Sequence, residues 1–483
     1  MAASDADHHS LLSRSALRCC AWAERWFPDA WVFTALAVLF VAAAAMAAGA
    51  APTAVANAFG DGFWSLITFT MQMSFIIIGG YVVASAPPVA RAIDALAAVP
   101  RSGRAAVCWV ALLTTLVSLL HWGLSIVFGG LLVRSLARRT TLNMDYRAAS
   151  ASAYLGIGAV WALGLSSSAA QLEANPASQP AALLHIGGVI PFSETIFLWQ
   201  SLLLTAVLIA ASVTMAWLVA PGPAHARTAQ ALGVSLEPAA IDRPTDGATS
   251  GAAARRRPAD WLELNPLINL ALAALGLGWL LHQFASLGAS AAIASFNTYN
   301  LLFLSLGLLL HWRPRPFLDA VTRAVPGTAG VLIQFPLYAG ISGILTLAKG
   351  AGGLTLTQHL SGFFAHVAGG GSFPLVVGVY SAILGFFVPS GGGKWIIEAP
   401  YVLQAANDVH AHLGWAVQVY NAAEALPNLI NPFWMLPLLG IVGLKARDLI
   451  GFTFVQFLVN VPLVLFLLWA LGLTLAWHPP VMP

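Results

Sequence analysis

The sequence is poor in charge. Of 483 residues, Lys, Arg, Asp and Glu together make 8%, against about 25% in a soluble domain. So few charges cannot cover a water-facing surface. With 59% hydrophobic residues and a mean hydropathy of +0.79, the chain reads as an integral membrane protein, with the lipid bilayer as its main partner. A cytosolic enzyme, a secreted disulfide scaffold and a disordered chain are excluded. Cysteine is nearly absent: Cys19, Cys20 and Cys108 form no disulfide pattern. Only 3 lysines stand among the 22 basic residues, and a net charge of +3 calls for no nucleic-acid partner. Catalytic signatures are missing too. There is no His-Glu-x-x-His, no Cys-x-x-Cys and no Gly-x-Ser-x-Gly, and no cofactor is indicated. His8, His9, His410 and His412 read as ordinary loop residues.

What is present is long apolar runs. They fall near 31–50, 63–86, 105–133, 148–170, 198–220, 264–284, 296–312, 325–348, 374–405, 421–443 and 449–476. Their length favours helices over barrel strands. Before them, 10–27 places Arg14, Arg18 and Arg25 against Leu11, Leu12, Leu17, Trp22, Trp26 and Phe27 at helical spacing. That pattern predicts an amphipathic interfacial helix within a cytoplasmic segment 1–30, not a cleaved signal.

The arginines set the sidedness. Segments 87–104, 134–147, 221–263, 313–324 and 444–448 are basic. Segments 51–62, 171–197, 285–295 and 406–420 hold no Lys or Arg. The positive-inside rule puts the first group in the cytoplasm, with a cytoplasmic N-terminus and a periplasmic C-terminus. Two runs must then enter and leave on one side: 105–133, interrupted at His121-Trp122-Gly123, and 374–405, interrupted at Pro389 to Gly393. The expectation is an all-α polytopic fold of about 11 embedded segments. It has inverted repeats at 31–220 and 296–476, each with a re-entrant hairpin and broken helices. Helix 264–284 connects them after a polar linker, 221–263.

Candidate site residues follow from the breaks. Ser390, Gly391, Gly392, Gly393 and Lys394 open a helix within an apolar run, where free amides suit an anion. This is not a Walker A loop: Val388 replaces the first Gly and Trp395 follows Lys394. His121, Trp122, Gly123 and Ser125 form the partner tip. Gln72 and Gln334 hold matching places in the two halves; they serve as substrate donors or as glue between helices. Lys394 and Glu398 are four apart and can pair. Either Lys394 attracts a substrate anion while Glu398 tunes it, or the two neutralise each other. Ser166, Ser167, Ser168, Asn428 and Asn431 offer hydroxyl and amide ligands for Na⁺ as a coupling ion. Glu424 and Glu398 could carry a proton or cation.

Several stretches resemble a known family. Gly60-Asp-Gly-Phe-Trp64, Met71-Gln-Met73, Ala84-Ser-Ala-Pro87, Gln334-Phe-Pro-Leu-Tyr-Ala-Gly-Ile341, Val388-Pro-Ser-Gly-Gly-Gly393 and Asn431-Pro-Phe-Trp434 through Arg447-Asp448 resemble bacterial short-chain fatty acid transporters of the acetoacetate/butyrate type, within the larger ion transporter superfamily. The likeness spans about 20–475 and is least in 221–263. It implies an inner-membrane secondary transporter of short monocarboxylates, symporting H⁺ or Na⁺, with hairpin tips at His121–Ser125 and Ser390–Lys394 meeting at the substrate, and a homodimer. A dicarboxylate carrier is the nearest competing expectation, and a passive anion channel the next.

Overall fold

A computed structural model describes residues 30–236, 258–367, 369, 371–387, 390–431 and 433–482. The amphipathic segment expected at 10–27, the middle of the polar linker, and Val388, Pro389 and Pro432 lie outside the described residues. The protein is about 80% helical. Among the described residues its extended pairing is two isolated bridges.

The first half runs α1 (Ala30–Ala47), α2 (Pro52–Ser65), α3 (Ile67–Ala84), α4 (Pro87–Ala97), α5 (Gly103–Leu120), α6 (Trp122–Ala137), α7 (Tyr146–Leu155), α8 (Ser168–Glu173), α9 (Ala181–Gly187) and α10 (Trp199–Val219). Between the halves lie α11 (Pro258–Leu264), α12 (Pro266–Leu287) and α13 (Ala289–Ala294). The second half runs α14 (Phe296–His311), α15 (Pro314–Ala324), α16 (Ala329–Leu347), α17 (Leu356–Val367), α18 (Phe373–Phe387), α19 (Gly391–Asp408), α20 (Leu413–Asn428), α21 (Leu436–Val442) and α22 (Ala446–Gly472). Local chemistry sets these ends. Pro52, Pro87, Pro266 and Pro314 open helices at a position that needs no N–H. Ser102, Asp145, Ser167, Ser390 and His412 cap others with side-chain acceptors.

Among the described residues seven helical stretches are long and apolar enough to cross a membrane, and three shorter apolar helices accompany them. The protein is a multi-pass membrane protein. Three of the expected runs are divided differently. Run 63–86 splits at Leu66 into α2 and α3. Run 148–170 unwinds over Gly156–Ser167, first as a π turn and then as a 3₁₀ turn. Run 421–443 lies inside a longer broken helix that starts at Leu413: all of Leu413–Asn428 is buried, and the polar Gln418 and Asn421 are hydrogen-bonded inside.

Packing relates the halves reciprocally. α3 lies against α14 and α15, while α16 lies against α1 and α2. The backbone echoes this. Asn143 (φ 43°) and His410 (φ 55°) both sit in the left-handed region, two residues before the caps Asp145 and His412.

The ends of the helices sort by charge. Arg104 donates to Ala220 O (3.1 Å), Arg139 to Ala97 O (2.6 Å) and Pro100 O (2.9 Å), and Arg134 to Ile441 O and Ser235 O (3.2 Å each). Basic connections thus gather at one end of the molecule. At the other end Asn407 donates to Ile186 O (2.9 Å) and Trp477 to Asn407 Oδ1 (3.2 Å). The α5–α6 hairpin starts and finishes at the basic end. The α18–α19 hairpin starts near Gly472 and finishes at Asn407, at the other end. Arms of 15 to 18 residues reach about 22–27 Å at 1.5 Å per residue, most of a bilayer's roughly 30 Å core.

Candidate functional site

The tip of the second hairpin is walled by rings. A methyl group at Gly391 would enter the Trp161 ring, and one at Gly393 would enter the Tyr338 ring. At Gly392 it would lie 3.0 Å from Phe69 Cζ and 3.2 Å from Ser168 Cβ. Tyr420 donates its hydroxyl to Gly391 O at 2.5 Å. Three glycines are needed here because the aromatic wall touches the backbone itself. Ser390 caps α19 by accepting from Gly393 N at 3.2 Å. The amides of Gly391 and Gly392, in the first turn, have no acceptor within the helix.

The first hairpin tip is built differently. His121 is fully buried. Its Nδ1 accepts from Leu124 N (3.2 Å), and its ring stacks on Tyr299 (centroids 5.6 Å) and meets Phe303 (4.3 Å). This is a capping residue held between rings. Trp122 N donates to Ser166 Oγ (2.7 Å), and the Trp122 ring meets Trp434 edge-on at 5.3 Å. Gly123 and Ser125 follow, with Ser125 donating to Thr114 O (2.8 Å) across the hairpin. Along α3 the two tips stand against Gly80 and Phe69 respectively, eleven residues or about 16 Å apart. What joins them is the unwound 156–167 stretch with the first residue of α8: Ser166 holds one tip, while Trp161 and Ser168 face the other.

Lys394 is fully buried, as is Glu398, and Glu424 is 1% exposed. The ammonium sits 3.0 Å from Glu398 Oε1 and 2.7 Å from Glu424 Oε2. It donates to Ser381 O (2.8 Å) and Ser381 Oγ (2.7 Å), and lies 4.5 Å from the centre of the Tyr420 ring. Gly385 makes room, since a methyl there would fall 2.7 Å from Glu424 Oε2. Three charged groups thus share one closed space, with one positive and two negative sites.

The remaining candidates divide. Ser167 caps α8 and donates to Asn421 Oδ1 (3.1 Å). Asn421 donates to Gln418 Oε1 (2.6 Å), and Gln418 to Ser201 Oγ (2.8 Å). Ser168 faces Met73 Sδ (3.6 Å). Asn428 donates to Ile157 O (3.2 Å), which ties the two breaks together, and Asn431 donates to Phe386 O (2.9 Å) on α18. Gln334 accepts from Tyr338 OH (3.2 Å), one step from the Gly393 wall. Gln72 is elsewhere: it donates to Asn297 Oδ1 (3.0 Å) and lines an open cleft of about 450 Å³ between α3 and α14.

Sequence reasoning missed Ser381, Tyr420, Asn421 and Glu173. Asn421, Glu424 and Asn428 recur at helical spacing on α20, a signal that was legible. Glu173 was not: it ends α8, fully buried, and accepts from Trp395 Nε1 at 2.8 Å. His412 is not an ordinary loop residue either. It caps α20 by accepting from Trp415 N at 3.1 Å.

Two helix hairpins, two broken helices and a charge cluster sealed among α18, α19 and α20 suit a membrane transport protein rather than an enzyme. The comparisons agree. The short chain fatty acid transporter family matches residues 11–471, and the chain belongs to that family. A relative from Escherichia coli (strain K12), named by inference a short-chain fatty acid transporter, is 34% identical, covering 89% of this chain and 92% of its own. One of the same name from Haemophilus influenzae is 30% identical, covering 94% and 98%. The fold resembles the YdaH transporter of Alcanivorax borkumensis (TM-score 0.58, 14% identity, 94% of this chain and 100% of that one). It also resembles Neisseria gonorrhoeae MtrF, described as an antimetabolite efflux pump (TM-score 0.51, 12% identity, 97% and 100%).

Proposed function

We propose that the protein is a proton-coupled symporter of short-chain monocarboxylates, butyrate or acetoacetate among them. It works as a homodimer in a bacterial inner membrane, N-terminus cytoplasmic and C-terminus periplasmic. The observation that carries this is Lys394 held between Glu398 and Glu424. With both carboxylates ionised the sealed cluster has one net negative charge, which is costly at depth. One added proton neutralises it. Lys394 therefore belongs with the coupling group, not with the substrate.

The substrate carboxylate is received by the first-turn amides of α19 at Gly391 and Gly392. Trp161, Phe69, Tyr338 and Tyr420 offer apolar surface for a short acyl chain. The cation of Lys394 is consumed by its two acids, so a second substrate carboxylate would find no charge partner there. That disfavours a dicarboxylate.

Sodium coupling is the second reading. It is favoured by Ser167 and Asn421 meeting at the break and by Asn428 Oδ1, which is buried with no hydrogen-bond partner among the described residues. The test is uptake of labelled butyrate and acetoacetate into proteoliposomes, with pH and Na⁺ gradients imposed separately. Uptake driven by an inward proton gradient, with counterflow, is expected. Uptake driven by Na⁺ alone would replace the first reading with the second. Absence of both would refute symport, and passive flux without counterflow would mean a channel.

A further inference from the structure

Glu194, His412 and His478 come from three separate parts of the chain and meet at the end of the molecule where Asn407 bonds Ile186 and Trp477. Each offers one donor atom, and all three atoms lie within 4.8 Å of one another. His478 Nε2 is 2.9 Å from Glu194 Oε2, with these side chains 38% and 30% exposed. The His412 and His478 rings meet edge-on at 5.4 Å. The segment bearing His478 is strapped down on both sides. Trp477 packs on His410 (4.6 Å) and donates to Asn407, and Val481 bridges to Gly188.

We propose that these three residues form a site for a divalent transition-metal ion of the zinc class. Two imidazoles and a carboxylate, open to solvent on one side, are a donor set such ions favour. The proton positions support it. His478 Nδ1 lies 3.0 Å from Pro479 O, and a carbonyl only accepts, so the ring proton sits on Nδ1. Nε2 then faces the Glu194 carboxylate. A lone pair there repels it, so the pair needs a cation between them or a proton on Nε2. The carbonyl behind the ring is also the kind of partner that orients a metal-binding histidine.

Metal binding here has a structural price. His412 Nδ1 is the acceptor that caps α20. Coordination through Nε2 moves the ring proton to Nδ1, and Nδ1 can then no longer accept from Trp415 N–H. Loading the site uncaps the helix that carries Asn421 and Glu424, so the metal restrains transport from the outer face.

The experiment is zinc titration of tag-free full-length protein by calorimetry, beside butyrate uptake with and without zinc. H412N keeps a capping side chain but removes the imidazole. H478A removes the second ring, and H410A is the control. The wild type and H410A should share one zinc equivalent that H412N and H478A bind at least tenfold more weakly. Zinc should slow uptake in the wild type and not in H412N. Equal zinc binding in all four proteins would overturn the site. The expected binding with no effect of zinc on uptake would overturn the restraint. Neither readout of binding depends on which ion drives transport.

Discussion

Lys394 is the residue on which most of the local electrostatics turns. Removing one member of a buried ion cluster leaves the others uncompensated, at a cost of about 3–5 kcal/mol. K394M should therefore lower the thermal midpoint in detergent by many degrees. The triple variant K394M/E398Q/E424Q, which has no charge left to strand, should recover much of that stability while remaining inactive in uptake. A triple variant no more stable than K394M would mean that the three groups do not act as one unit. The tip glycines offer a second test at this scale. G391A places a methyl in the Trp161 ring and should abolish uptake while the protein still inserts. Gly278, by contrast, has nothing within 4 Å of the position a Cβ would take. There G278A should leave uptake unchanged and add up to about 1 kcal/mol of helix stability, read by the same thermal assay.

At the scale of elements, helix caps hold the breaks in place. Ser167 both caps α8 and bonds Asn421 on α20, so S167A should cost about 1–2 kcal/mol. Ser102 caps α5 at an exposed end with one bond of 3.3 Å. S102A should cost only about 0.5–1 kcal/mol by the same measurement. Equal losses would mean that the bond between the breaks adds nothing. Much at this scale was legible in the sequence. The glycine triplet and His121 mark the points where helices turn back, since both interrupt apolar runs too long for one span. The unwinding at 156–167 was legible only from Gly164 onward, because Gly156 and Gly158 sit in a stretch that otherwise reads as helix. The start of α20 was hidden because Gln418 reads as a loop residue until Ser201 is seen to pair with it.

At the scale of the molecule, the uneven distribution of arginine divides the connections into two groups, and the fold brings basic connections together at one end. Single cysteines test which end faces the cytoplasm. In a background with Cys19, Cys20 and Cys108 replaced by serine, A177C should react with a membrane-impermeant maleimide on intact cells. R101C should react only after lysis. The reverse pattern would invert the orientation. The Glu194–His412–His478 cluster illustrates what a sequence cannot display: three residues far apart along the chain, each unremarkable where it stands, become neighbours only through the path of the backbone.

The exchange of partners between the halves bears on synthesis. α3 packs on α14 and α15, and α16 on α1 and α2. When α3 leaves the ribosome its partner has yet to be translated, so the Gln72 side chain waits in lipid without Asn297. The first half must stay in the bilayer as an unfinished intermediate until the second is inserted. Two fragments divided within the 221–257 stretch and expressed together should reassemble and restore uptake. Either fragment alone should be degraded, with a half-life far shorter than that of the intact chain in a pulse-chase experiment.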